Sequence, residues 1–570
     1  MLVAGGALPP KVNSPARAQG IRFAAQVPPL PATVPVFKLA LTAAPTEFVN
    51  EHLRLVGAPA LKLGQTNHVS MLVQKDLVRA HVNAQTGDTS MVPDMERLIM
   101  LSKGVPGLTQ ERAQSIAKLK FADIRFIPHD VTELRMLDKV DVMGGSAARP
   151  KATGGPSLVQ DMPAVRFSVV PAQRFADNAP VFGPGSRAAV TLSNTGSVEG
   201  LVRKWKTATL SHSVKPDKNA AGVQAAITQQ LTPYMSSNVQ ITVDSITRAY
   251  YDGNANFLSP VYSFTATLHP TSGKASNEHI QGFVPIGTPS ELLPAIQNRT
   301  NMKQPTTAPK PAVLLKSLSS ELKVHNHGTG AQGAITVGSY INRDGKMLDM
   351  WWNFWDGLNF KFPGLTPMTP FTLSQYYWAE PWDVNGATAQ ARLNAVNIAY
   401  TDPHGNWWYN TTLNNNADGW TIQAISPGFG AGTGGQLATW IIDSCEVAPS
   451  FYDLQVQAGN GYKAFDPWWG VFKGLHNVVA FRTEMWLYQD AEESQFGLDM
   501  AMGCDVHTSW FQVLAADSAN NQTYLDTNIN QVVHYGRGSV FIDSRNLGQS
   551  IYHVEHQSPA GQLWNFWMNN

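Results

Sequence analysis

At 570 residues the chain is long enough for two or three domains and a large core, and 43% apolar with 15% charged residues is a globular composition. No run of about 18 apolar residues occurs, so no membrane span is expected. Two cysteines, Cys445 and Cys504, exclude a disulfide framework and a zinc cluster.

The net charge of zero hides an asymmetry. Residues 331–570 carry 9 Lys/Arg against 21 Asp/Glu, a balance of −12, which leaves 33 and 21 in the remainder. Fifteen of the 16 tryptophans also follow Ala331, with Trp205 the exception. Two regions of different design and opposite sign are expected to associate, the basic one docking on the acidic one. Nucleic acid is not an expected partner, because the basic residues are scattered and lack interleaved aromatics.

In chain order, residues 1–45 are rich in Pro and Ala and read as a flexible leader. Ala16-Arg17-Ala18 has the small-residue pattern of a cleavage site, but a positive n-region and an apolar core are missing. Residues 46–143 read as an α+β module. Strands in NHVSMLVQKDLVRAHVNAQTGDTSMV turn at Thr86-Gly87-Asp88, and Thr109 opens a helix with Ala113, Ile116, Ala117 and Leu119 as its apolar positions. GGSAARPKATGGPSL at 144–158 reads as a linker opening a second unit, 144–300. That unit contains the strand AVRFSVVPAQRF and the segment SVEGLVRKWKTATL. A helix over 220–235 with Val223, Ala226, Ile227 and Leu231 on one face follows, then the strands VQITVDSITRAYY, SPVYSFTATLHP and HIQGFVPI. The run ITVDSITRAYYDG, LSPVYSFTATL and GFVPI resembles the PepSY-type modules of protease propeptides, with a weaker relative in 46–135. The resemblance implies a folding or inhibitory prosegment, and with it a secreted or cell-envelope location. Residues 301–333, rich in Pro, Thr and Lys, read as a linker, with Lys303, Lys310 and Lys316 as processing sites.

Residues 334–570 alternate apolar strands with helical or loop segments: AITVGSYI, FTLSQYYWAEPW, AVNIAYTDPHG, QLATWIIDSC and LHNVVAFRT. Such alternation predicts an α/β fold with a mostly parallel sheet and crossover helices. Open α/β sheets place their sites at the carboxyl ends of strands. His404-Gly405 ends one strand and Cys445 ends the next, and 41 residues between them suffice for a parallel crossover.

The segments Ile398–Gly405 and Trp440–Glu446, followed by GLHNVVAFRT and ESQFGLDMAMG, resemble the caspase-like peptidase clan, which includes legumain, gingipains, separase and the caspases. More closely they resemble an uncharacterised caspase-like family. The resemblance implies a cysteine endopeptidase acting on a peptide or protein, without cofactor or metal. Cys445 would supply the thiolate nucleophile and His404 the proton for the leaving amine, with the backbone N–H groups of Gly405 and Cys445 as oxyanion donors. Asp443 and Glu446 flank the nucleophile. Arg482, Thr483 and Glu484 follow the fifth strand, where this clan builds its primary pocket, and Glu484 would favour a basic side chain. Pro403 stands where a small residue is usual, and it constrains both itself and Asp402. Two other readings stand beside this one: an inactive caspase-like binding or structural module, and a carbohydrate- or surface-binding protein using Trp407-Trp408 and Trp468-Trp469. Cys504 reads as a buried small hydrophobe. His327-Gly328 falls in the linker, and His476, His507, His534, His553 and His556 read as structural or exposed.

Overall fold

The computed structural model describes residues 20–63, 69–74, 77–137, 140–150, 158–159, 165–235, 239–270, 277–287, 335–341, 348–359, 371–379, 381–411, 419–487, 492–517, 522–555 and 557–569. The architecture is mixed α/β around a large sheet. The expected linker at 301–333 and the Ala16-Arg17-Ala18 motif lie outside the described residues.

Five parallel strands form one end of the sheet, in the spatial order Phe371–Trp378, Ile335–Ile341, Ile398–Asp402, Thr439–Ile442 and Asn477–Phe481. Every residue of the last three is buried, as befits parallel strands covered on both faces. Alternation decides which face each residue serves. Tyr400, Ile441 and Val479 join the layer of Trp351, Phe354, Phe496 and Trp510. Ala399, Trp440, Ile442, Val478 and Ala480 join Phe429, Phe465 and Trp468 on the other side.

Two antiparallel strands follow, Gly538–Asp543 and then Leu563–Met568. The second of these, the closing strand, pairs along its far edge with Asp141–Arg149. The sheet therefore runs without a break into the N-terminal region, through Val165–Ala176, Arg187–Ser193 and Val198–Lys204. This changes the expected organisation. The boundary anticipated at 143/144 and the start of the 144–158 linker fall inside a strand. Its Gly144 and Gly145 are small because the rings of Trp567 and Phe566 lie directly over them. Glycine-rich composition here marks close packing across a sheet rather than a tether.

The leader reading also needs correction from residue 20 onward. Val34–Ala40 is a strand paired with Thr207–Val214, with Val34, Val36, Phe37 and Leu39 buried, and Arg22–Phe23 pairs with Val239–Tyr251. Pro28, Pro29 and Pro31 precede this strand and Pro35 lies within it, which gives the segment the composition of a loop although it pairs along its length.

The predicted helices form. Thr109 caps Gln110–Phe121 by accepting from the Arg112 N–H, and Ala113, Ala117 and Phe121 face inward. Ala113 and Ala117 are buried as expected and Ile116 packs against the same core, but Leu119 is 74% exposed and Phe121 closes the buried stripe in its place. Ala220–Leu231 buries Val223, Ile227 and Leu231 and packs on a three-stranded meander, Val239–Tyr251, Phe257–Pro270 and Glu278–Pro285. The last strand, hereafter the plug strand, pairs through His279 and Ile280 with Trp486 and Leu487 of the C-terminal region.

Candidate active site

The strands Ile398–Asp402 and Thr439–Ile442 are parallel neighbours in register, Thr401 opposite Ile442. One step further the Asp443 N–H donates to the Thr401 carbonyl at 2.8 Å. Beyond these tips Pro403 redirects the chain into a short strand, His404–Asn406, which pairs with Tyr409–Thr411. Gly405 then lies against the Ser444–Cys445 backbone so closely that a Cβ would overlap the Cys445 carbonyl oxygen and Ser444 Oγ. The His-Gly and Ser-Cys turns thus share one rim of the sheet, and glycine is required for their approach.

Cys445 is 6% exposed. Its sulfur accepts the Met485 N–H at 3.4 Å. Burial pushes the thiol well above its ordinary range, and Glu484, Glu446 and Asp443 push in the same direction. His404 is also buried, and its Nδ1 meets the Glu278 carboxylate at the start of the plug strand. This rim therefore holds a covered thiol and an imidazole already engaged by a carboxylate from the N-terminal region.

The flanking residues divide by what they touch. Asp443 is buried, accepts the Tyr400 hydroxyl and is pushed up to about 7 by burial. Glu446 adopts a positive φ of 52°, and its N–H donates to the Thr483 carbonyl. Its carboxylate accepts from Tyr524 at 3.2 Å and Asn528 at 3.3 Å. Arg482 points into the core, where it forks onto Asp453 and donates to the Met568 carbonyl at 3.0 Å. Thr483 is fully buried, and its hydroxyl accepts the Arg537 N–H. Of the three residues after the fifth strand, Glu484 alone sends its side chain to the plug strand, meeting His279 Nε2 at 2.6 Å.

Sequence reasoning did not find Glu278, His279, Trp486, Tyr524 and Tyr535. The His279 ring sits among those three aromatic rings, with centroids 5.5, 6.4 and 4.5 Å away. No local signal marks Glu278-His279, since the two residues simply begin an apolar strand, 126 positions before His404 and 205 before Glu484. Cys504 is fully buried beside Val78, Val92 and Met502. Trp468 is buried and stacked on Phe541, and the Trp407 and Trp408 rings are tilted 60° to each other, so the two tryptophan pairs do not make one flat strip. Among the described residues no group of three His, Cys, Asp or Glu side chains is placed to hold a metal ion, and no helix is long and apolar enough to cross a membrane.

No family model and no curated protein matches the chain. Among solved structures, an uncharacterised protein from Eubacterium rectale is similar over 45% of this chain and 85% of that one, at 8% sequence identity and a TM-score of 0.30.

Proposed function

We propose that the chain is a caspase-like cysteine endopeptidase whose N-terminal region is a PepSY-like prosegment, held at rest by that prosegment. The observation that carries this reading is the abutment of the His404-Gly405 turn on the Ser444-Cys445 turn at adjacent parallel strand tips. In the reaction the Cys445 thiol passes its proton to His404 as the sulfur bonds to a peptide carbonyl carbon, and His404 gives a proton to the departing amine as the C–N bond breaks. Water then adds to the thioester, its hydroxyl leaving with the acyl group as the carboxylic acid and its remaining proton returning to the Cys445 sulfur. A buried thiol with a raised pKa is a poor nucleophile, so turnover requires the plug strand to leave. Export to the cell envelope or beyond fits a chain that carries its own prosegment.

The burial of Cys445 also favours a second reading, a permanently inactive module of the same architecture. Iodoacetamide labelling separates the two. In a chain with Glu278→Ala and His279→Ala, the peptidase reading expects Cys445 to label at least about tenfold faster than Cys504. Cleavage of the chain on incubation, tracked by intact mass and abolished by Cys445→Ala, is expected alongside. Equal or absent labelling of the two thiols in the folded variant supports the inactive module.

A further inference from the structure

A cavity of about 310 Å³, which shares no residue with the His404–Cys445 rim, lies between N-terminal strands and two C-terminal helices. Strand register sets its floor. His81 of Leu77–Asn83 stands opposite Ser90 of Thr89–Met91, and Ser90 opposite Val202 of Val198–Lys204, so the three side chains share one face. Across from them the helix Glu492–Met502 supplies Gln495, Leu498 and Asp499, which fall on one side of a helix because they are three and four residues apart. Val513 and Ala516 come from the next helix, Val506–Ala516.

The deep end is rich in acceptors and short of donors. His81, Ser90, Gln495 and Asp499 are only 4, 3, 7 and 2% exposed. His81 Nε2, Ser90 Oγ and Gln495 Oε1 have no hydrogen-bond partner among the described residues. His81 Nε2 is 3.5 Å from Asp499 Oδ1, beyond a normal N–H···O distance, and that oxygen accepts from Gln495 Nε2 at 2.6 Å. Buried polar atoms are seldom left in this state, because each has given up its bond to water. Toward the mouth, where Gly253 and Asn254 are exposed, the charges balance. Arg187 and Lys204 stand opposite each other in register, Arg187 pairs with Asp517 at 3.1 Å, and Asp88 lines the cavity beside them. Val202, Leu498, Val513 and Ala516 make the walls between the two ends apolar.

An anion at the deep end would be repelled by Asp499, and an uncharged apolar molecule would leave the acceptors as they are. An ammonium group brings three donors and one positive charge to a carboxylate, an amide oxygen, a hydroxyl and an imidazole, which accepts at Nε2 when its proton is on Nδ1. The volume is about ten times a water molecule's share of the liquid, room for a ligand of about ten non-hydrogen atoms. We infer that this cavity is a binding site for a small primary amine with an apolar body. The ammonium seats among His81, Ser90, Gln495 and Asp499, and the body lies between Val202, Leu498 and Val513. The inference is independent of the peptidase reading. Because the walls come from both regions of the chain, an occupied cavity ties the N-terminal strands to the C-terminal helices, and the amine is expected to raise the melting temperature.

The test is calorimetry of phenethylamine with the full chain, with 2-phenylethanol and 3-phenylpropionate as controls that keep the body and change the head. The unaltered chain is expected to bind the amine and neither control. Asp499→Asn should weaken binding about 10- to 100-fold, the scale of one charge-assisted hydrogen bond, and Ser90→Ala about 2- to 10-fold. Thermal unfolding checks that each variant folds, and if Asp499→Asn does not, Gln495→Leu and Ser90→Ala carry the test. Equal binding of amine and alcohol, or undiminished amine binding in the folded variants, overturns the inference. So does a parent that binds no amine at millimolar concentration while His81→Ala lowers the melting temperature, since His81 and Asp499 would then only tie the two regions together.

Discussion

The carboxylate of Glu278 rests on Nδ1 of His404, joining the first residue of an N-terminal strand to the imidazole at the rim of the C-terminal sheet. Both side chains are nearly buried, so the contact is part of the packed interior. It engages the group that the proposed reaction needs for proton transfer, and its neighbour His279 fills the adjoining pocket. In the proposed peptidase, inhibition would need only the addition of this strand beside Trp486 and Leu487.

Gly405→Ala is expected to force the two turns apart. Its Cβ would meet backbone at Cys445, and backbone cannot swing aside like a flexible side chain. A loss of about 1–3 kcal/mol in urea unfolding is expected, the usual scale of overpacking, together with a changed rate of Cys445 labelling in the Glu278→Ala, His279→Ala background. A variant as stable as the parent with unchanged labelling would show that the turns do not touch.

Arg482 and Asp453 form a fully buried ion pair that anchors the chain just after the fifth strand. Removing either partner strands a charge. Asp453→Ala or Arg482→Met is expected to cost about 3–5 kcal/mol, and the double variant less than the sum of the two. Equilibrium urea unfolding of all three measures this, and additive losses would argue that the pair is not coupled.

Glu484 gives a pH dependence of known sign. Its carboxyl is held up to about 8, against an ordinary value of 4.5, so the native chain retains a proton that the unfolded chain has lost. The stability this contributes is complete below pH 4.5 and disappears as pH rises through 8. His279, held down to about 4 from 6.5, acts oppositely at the acid end: its contribution is complete above 6.5 and is lost as pH falls toward 4. The groups facing the pair, Asp244, Asp526, Glu446, Tyr524, Tyr535 and Cys445, are present in both chains of the comparison. Going from pH 6.5 to 8.5, thermal unfolding of the parent should shift down more than that of Glu484→Gln. Parallel shifts would place the titration elsewhere.

A chain cut between Gly287 and Ile335 should stay in one piece. The closing strand Leu563–Met568 lies between Gly538–Asp543 and Asp141–Arg149, and the Arg187–Asp517 pair, at 3.1 Å, is buried across the same boundary. Both fragments are therefore expected to co-elute in size exclusion and to appear as one complex in native mass spectrometry. Separation of the fragments under native conditions would contradict the continuous sheet. In the proposed peptidase, cutting alone would then leave Cys445 covered, and a further step would have to displace the plug strand.

Much of the C-terminal architecture was legible because its information is local. Apolar runs such as those ending at Asp402 and Ile442 announce buried parallel strands, and the spacing from His404 to Cys445 permits the crossover that makes them neighbours. Thr109 and the stripe Val223–Ile227–Leu231 fixed two helices in the same way. By contrast, a strand at 34–40 was hidden in a proline-rich stretch, and Gly144-Gly145 imitated a linker. In both, composition resembles that of loops, while pairing with strands far along the chain decides the outcome.

The amino-acid order alone determined that a histidine and a cysteine stand just beyond the carboxyl ends of two buried apolar strands, and that the two halves carry opposite charge. Which residues of the basic half meet that rim was decided only in three dimensions. Pairing between strands 200 residues apart leaves no periodic trace in either segment, because each strand's alternation reflects its own two faces and not the identity of its neighbour. Glu278 on His404 and His279 on Glu484 exist only because the plug strand adds beside Trp486.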